Sequence, residues 1–228
     1  MGRHLARDGD PIVALLWLLA AAERGDTEAG LLAAQVILGA PQLGRDEEGI
    51  KILRPLAAAN AGAGGAKVSL GLAYLGGTGV KLDLRRGEEL LEEVLARKDT
   101  SAEVRSLANS RLGSSLLRRR DPAGLALVEA AFAAGNPYSR ILLAHGYLYG
   151  ILLPLAEERG WKLLREGVAK GELESQFALA RALLERESRR PEDVEEARAL
   201  LEILGGRNLT RVVHEVELER LRELLDGH

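Results

Sequence analysis

Cysteine is absent, so the chain has no disulfide framework, no thiolate metal site and no thiol nucleophile, and neither a reducing nor an oxidising compartment is excluded. Aromatic residues make up only 4% of the chain and β-branched residues are sparse, which argues against an all-β fold. Neither charge sign dominates. Thirty-one Lys and Arg are interspersed with 34 Asp and Glu for a formal net charge of -3, so no long-range field draws in a polyanion and no nucleic acid partner is expected. A long apolar run is missing too. The stretch from Pro11 to Ala22 is too short to span a bilayer, so no membrane span is expected. Arg3 and Arg7 precede that stretch as they would in a targeting signal, but Asp8 and Asp10 do not suit one. Asp10-Pro11 reads instead as an N-cap followed by proline at the first helical position, and the run as a buried helix.

Leu and Ala are abundant, and they suit helices that pack closely through small side chains. A glycine follows an apolar helical stretch at Gly25, Gly62, Gly135 and Gly171, and Asp99 holds the equivalent place between the second and third of these. The steps are 37, 37, 36 and 36 residues, a period that marks a stacked array of helix pairs. A second column supports the register. The helix after each of these positions carries Ala34, Gly71, Ala108, Ala144 or Ala180, preceded by Ala33, Leu70, Leu107, Leu143 or Leu179. A small side chain lets neighbouring helices approach, and the larger one beside it fills the groove. In several copies the other helix of the pair begins at an aspartate, Asp10, Asp46, Asp83 or Asp121, placed to cap free amides and meet the positive end of the helix dipole.

The expected architecture is all-α, an α/α superhelix (solenoid) of about six helix-pair repeats forming a single domain over residues 1–228. Helices are expected near 11–24, 27–38, 46–60, 65–75, 83–98, 101–118, 121–134, 137–149, 155–170, 173–186, 192–204 and 208–225. Residues 205–228, with His214, Glu215, Glu217 and Glu219, depart from the apolar-small pattern and read as a polar C-terminal capping helix. At the other end, Ile12, Leu15, Leu16 and Leu19 are expected to be exposed, which suggests a lost repeat or a homo-oligomer contact through the N-terminal helix.

From Ala66 to Asp83 the sequence AKVSLGLAYLGGTGVKLD resembles the Sel-one-like (SLR) repeat family, relatives of tetratricopeptide repeats. Leu70-Gly71, Tyr74 and the Gly77-Thr78-Gly79-Val80 loop carry the likeness, and Trp17, Ala21, Ala22 and Gly25 fit the end of that family's second helix. Elsewhere the match is fragmentary, and Ile151-Leu152-Leu153-Pro154 replaces the loop after Gly150. The resemblance implies a superhelix whose concave side is lined by the first helix of each pair and holds proteins or peptides in bacterial envelope, secretion or signalling assemblies. The Gly77-Thr78-Gly79 element is not a phosphate loop, because it lacks the following Lys-Ser/Thr and succeeds a helix.

No catalytic, cofactor-binding or metal site is expected. His4, His145, His214 and His228 are scattered without ligand spacing, and Ser69, Ser114 and Ser115 lack a nucleophile elbow. The pairs Glu88-Glu89, Glu92-Glu93 and Glu195-Glu196 read as solvated helix faces, and Arg118-Arg119-Arg120 as a solvated loop. A partner surface is expected one residue beyond the small column, at Gln35, Leu72, Asn109, His145 and Arg181, with Ser69, Ser106 and Tyr149 nearby. The apolar loop Ile151-Leu152-Leu153 is a second candidate contact, or else packs on the next repeat. The expected role is a non-catalytic scaffold or adaptor for a protein or peptide. An RNA-binding helical repeat is the first alternative and an enzyme with an unrecognised site the second. The default compartment is the cytoplasm, or the periplasm for a mature or excised fragment.

Overall fold

The helix-ending signals act where the sequence places them. A computed structural model describes residues 11–59, 63–206 and 212–226, so Gly62, Asp10, His4 and His228 lie outside the described residues. At Gly25, Gly135 and Gly171 the backbone turns left-handed, with φ of 91°, 82° and 74°. The same pair of hydrogen bonds closes each helix: Gly25 N–H donates to Ala22 O and Asp26 N–H to Ala21 O, and the pairs at Gly135 and Gly171 match. This satisfies terminal carbonyls that would otherwise lack donors. At Asp99 a different device serves, since Thr100 Oγ1 donates to Val94 O and the Arg97 guanidinium clamps the Asp99 carboxylate.

Twelve α-helices result among the described residues, with no strand. They are α1 (Pro11–Glu23), α2 (Thr27–Leu38), α3 (Asp46–Ala58), α4 (Gly64–Gly76), α5 (Leu84–Ala96) and α6 (Ala102–Arg118), then α7 (Ala123–Ala133), α8 (Pro137–Tyr149), α9 (Glu157–Ala169), α10 (Leu173–Leu184), α11 (Pro191–Gly205) and α12 (Val212–Asp226). Asp83 caps α5 by accepting from the Arg86 amide, and Asp121 accepts from the Ala123 amide ahead of α7. Asp46 departs from expectation. Arg45 holds the N-cap position of α3 without a side-chain capping bond, and Asp46 sits inside the first turn. Asp26, Ser101 and Asn136 cap helices of the other type, α2, α6 and α8.

The described residues divide into two units, 1–127 and 128–228, with α7 running across the division. Within each, consecutive helices pack antiparallel as pairs, and Ala34, Ala108, Ala144 and Ala180 are wholly buried, with Gly71 buried in the same register. First helices of successive pairs also touch: α2 with α4 and α4 with α6 in one unit, α8 with α10 and α10 with α12 in the other. Contact of that extent is not found between α1 and α3, α3 and α5, or α9 and α11. First helices of successive pairs thus lie closer together within each unit than second helices do.

A third column governs the close approach. Gly49, Gly87, Gly124 and Gly160 lie on second helices, flanked in the same register by Ala14 and Ala197. A Cβ on Gly87 would stand 2.8 Å from Gly71 O and 2.7 Å from Leu75 Cγ, and one on Gly160 2.9 Å from Ala144 O and 2.6 Å from Leu148 Cγ. At Gly87, Gly124 and Gly160 the two helices of the pair therefore meet backbone to backbone, too closely for any Cβ.

Three expectations change here. Leu15 is buried, not exposed, and Leu19 is half-buried. The side chains that α1 turns to solvent are Val13, Leu16 and Trp17. Glu88 is not on a solvated face: it is buried, accepting from Ser115 Oγ at 2.7 Å and pairing with Arg119 at 3.1 Å. Arg119 of the basic run is thus tied to the core rather than free in solvent. The loop after Gly150 splits, with Ile151 and Leu152 exposed and Leu153 buried against Gly146.

Candidate functional site

The candidate stripe falls partly in each unit. In the first, Gln35 is exposed on α2, and its Nε2 donates to Ser69 Oγ on α4 at 3.1 Å, so two predicted residues of successive first helices meet. Leu72 is half-buried and leans on the Val68–Leu91–Leu112 cluster, while Asn109 on α6 is half-exposed. Ser106 is buried and contributes no accessible surface. Amides, hydroxyls and one aliphatic side chain make this face uncharged.

In the second unit the stripe is ionic. His145 and Tyr149, one turn apart on α8, meet edge to face with ring centroids 5.8 Å apart. Burial, aided by the positive charge of Arg181, holds the His145 imidazole below its ordinary pKa, which favours the neutral ring. Burial and then the Glu185 carboxylate push the Tyr149 phenol up, against the opposing pull of Arg181. The column continues one period beyond Arg181 at Glu217 on α12, whose carboxylate accepts from Arg181 Nε at 2.8 Å. Arg220 pairs with Glu185 at 2.9 Å, and His214 Nε2 lies 3.2 Å from Glu174 while its ring stacks on Phe177. Three polar pairs thus join α10 to α12 along one seam.

These pairs escape a reading of each helix alone, because the partners lie 35, 36 and 40 residues apart. One signal was available: opposite charges about one period apart face each other on successive first helices. Arg140 has no such signal. It is buried on α8, with Nε 3.1 Å from Glu172 Oε2 and Nη1 3.5 Å from Glu166 Oε2, and its guanidinium lies over the Phe132 ring. Ser175 Oγ donates to the same Glu172 oxygen, so a buried charge is matched by a shared carboxylate.

Two open cavities lie among the described residues. One of about 560 Å³ is lined by Trp161 and the charged residues Glu158, Lys162, Arg165 and Glu166, and another of about 480 Å³ by Leu19, Asp26, Ile52 and Leu56 among others. Among the described residues no group of three or more His, Asp or Glu stands together to hold a metal ion, and no helix is long and apolar enough to cross a membrane.

Comparison with known proteins now bears on this arrangement. The crystal structure of a Sel1 repeat protein from Oxalobacter formigenes superposes with a TM-score of 0.58 at 17% sequence identity, covering 99% of this chain and 98% of that one. The fold is the Sel1 repeat fold. A second Sel1 repeat structure is c5321, a protective antigen present in uropathogenic Escherichia coli strains and displaying an SLR fold. It aligns over 96% of this chain with a TM-score of 0.51 and 18% identity, and this chain spans about half its length, 51%. No family model and no curated protein matches the sequence. At 17% and 18% identity the likeness lies in the fold.

Proposed function

We propose that the chain is a non-catalytic scaffold that holds a protein or peptide against its first helices, through Gln35, Ser69, Leu72 and Asn109 in one unit and His145, Tyr149 and Arg181 in the other. The observation that carries this reading is the residue variety of the column. One register position holds an amide, an aliphatic, an amide, an imidazole and a guanidinium in turn, while the neighbouring small column stays small throughout. A position under packing constraint keeps one kind of residue, whereas a surface that reads a particular partner differs from repeat to repeat. The setting, a bacterial envelope, secretion or signalling assembly, belongs to the same proposal, as does residence in the cytoplasm, or in the periplasm for an excised or mature fragment. Cell fractionation decides the compartment.

The test is affinity capture from the source cell, identification of the retained protein, and titration of that protein, purified, against the parent chain and a variant carrying Asn109→Ala, His145→Ala and Arg181→Ala. We expect weakening of about tenfold or more, since loss of one central contact of roughly 1.4 kcal/mol gives that factor. Equal affinity of parent and variant would overturn the assignment. Capture abolished by ribonuclease would favour the RNA-binding reading instead.

A further inference from the structure

Four residues before the small column, α4, α6, α8 and α10 carry Lys67, Val104, Arg140 and Gln176, and α2 carries Gly30. Two of these side chains are cations that reach the following second helix. Lys67 Nζ donates to the Glu93 carboxylate on α5, and Arg140 Nη1 lies 3.5 Å from Glu166 Oε2 on α9. Both carboxylates stand six residues beyond the close-packing glycine, Gly87 or Gly160. Around α2 both members of that pair are missing: Gly30 stands in place of the cation and Pro55, six residues beyond Gly49, in place of the carboxylate. The cavity of about 480 Å³ opens here, with Gly30 and Pro55 in its lining.

Packing does not call for this glycine. A Cβ on Gly30 would meet Leu56 Cδ1 at 3.5 Å, and Ala22 Cβ and Ile52 Cγ2 at 3.6 Å, which are ordinary contacts. Glycine is also among the poorest residues for a helix interior. What Gly30 does is leave the slot between α1 and α3 unfilled. Its walls are apolar, and its lining includes the carboxylates of Glu23, Asp26 and Glu48 with no lysine or arginine among the described residues. Arg45 matches Glu48 through two bonds of 2.6 and 2.7 Å. Arg24, in the turn at the mouth, folds back to donate to Ala20 O, while Glu23 and the α2 cap Asp26 are exposed there. The mouth is therefore negative over an apolar floor.

We propose that this slot receives a lysine or arginine side chain of a partner peptide, in the place that Lys67 and Arg140 fill in their own repeats. The aliphatic stem of such a side chain lies along Leu19, Ile52 and Leu56, and its charged head meets Glu23 and Asp26 at the mouth. Arg140 displays the same division of labour inside the chain, with its guanidinium over the Phe132 ring and between two carboxylates. An acidic side chain is repelled at the mouth, and a neutral one gains only the floor. None of the stripe residues lines the slot, so this contact is separate from the proposed scaffold face.

Titration of the full, isotope-labelled chain with the peptide acetyl-Gly-Arg-Gly-amide, followed by amide correlation spectra, tests this. Exposed ion pairs contribute little, so binding of about millimolar strength is expected, with saturable shifts at Gly25, Asp26, Gly30 and Ile52. The citrulline peptide, alike in shape but uncharged, should bind about fivefold more weakly. Gly30→Lys puts into the slot the residue that α4 carries in the same register, and should abolish the shifts without lowering the melting temperature. Gly30→Ala, whose methyl group fits, should retain them. Glu23→Gln combined with Asp26→Asn, which keeps a capping side chain on α2, should bring the arginine peptide down to the citrulline level. No saturable shift at these amides, equal binding of the two peptides, or an arginine response that survives Gly30→Lys or the double variant would each overturn the proposal.

Discussion

Replacing Gly87 or Gly160 by Ala sets two effects of opposite sign against each other. Helix propensity favours the change, since glycine in a helix interior costs about 1 kcal/mol relative to alanine. Packing opposes it. The new methyl group at Gly87 would lie 2.8 Å from Gly71 O and 2.7 Å from Leu75 Cγ, and at Gly160 2.9 Å from Ala144 O and 2.6 Å from Leu148 Cγ. The oxygens belong to helix backbone and the leucines are buried, so neither can withdraw and the helices must part. Overpacking of this kind costs about 1–3 kcal/mol, and a clash this short belongs at the upper end, leaving a net loss of about 1–2 kcal/mol. At Gly49 the nearest atoms are Leu38 Cγ at 3.0 Å and Cδ2 at 3.1 Å, on a side chain only half-buried, so the two effects nearly cancel. Urea unfolding followed by circular dichroism should rank the variants Gly49→Ala above both others, with melting temperatures of the latter lowered by roughly 2–8 °C. If Gly87→Ala and Gly160→Ala matched the parent, the backbone-to-backbone approach of the helix pairs would be wrong.

Two further outcomes follow from single residues. Leu152 adopts φ of 68° at the place where the sister loop has Gly79 at 66°, and a left-handed leucine costs roughly 1 kcal/mol. Because the side chain is exposed, Leu152→Gly should raise stability by about 0.5–1 kcal/mol, and a lower melting temperature would show that this leucine supplies packing. His145 is held below its ordinary pKa by burial and then by Arg181, so below about pH 6.5 the unfolded chain takes up a proton that the folded chain resists. Stability should therefore fall as pH drops through that value until the folded imidazole itself titrates. His145→Gln should flatten this part of the profile, and urea midpoints measured from neutral to mildly acidic pH will show an unchanged slope if the argument fails.

Most helices begin and end within a few residues of the positions expected from the sequence, because their ends are local events: Gly25, Gly135 and Gly171 need only their own left-handed backbone, and Asp83 needs only the amide three residues on. The column of Gly49, Gly87, Gly124 and Gly160 is harder to read. Its steps of 38, 37 and 36 differ from those of the loop glycines, since loops absorb insertions that helix packing does not. Asp46 shows the same limit at a helix start, where Arg45 takes the cap position its neighbour was expected to hold.

Within the candidate site, the stripe could be listed from periodicity alone, but not the state of its members. That Gln35 meets Ser69, that Ser106 is buried, and that Arg181 is engaged by Glu217 depend on which side chains successive helices bring within reach. The same holds for α1, where a run without charge announced an apolar helix but not which of its faces would be covered. By itself the sequence determined the period, which a recurring residue type announces without any contact, and most helix ends, which depend on residues near one another in the chain. Tertiary structure alone decided that Leu15 is buried while Leu16 and Trp17 stay exposed, and that Glu88 and Arg140 are buried charges. The reason is physical: burial is a property of what another helix covers, and the charges of Glu88 and Arg140 are tolerated inside because partners 26 to 32 residues away arrive to match them.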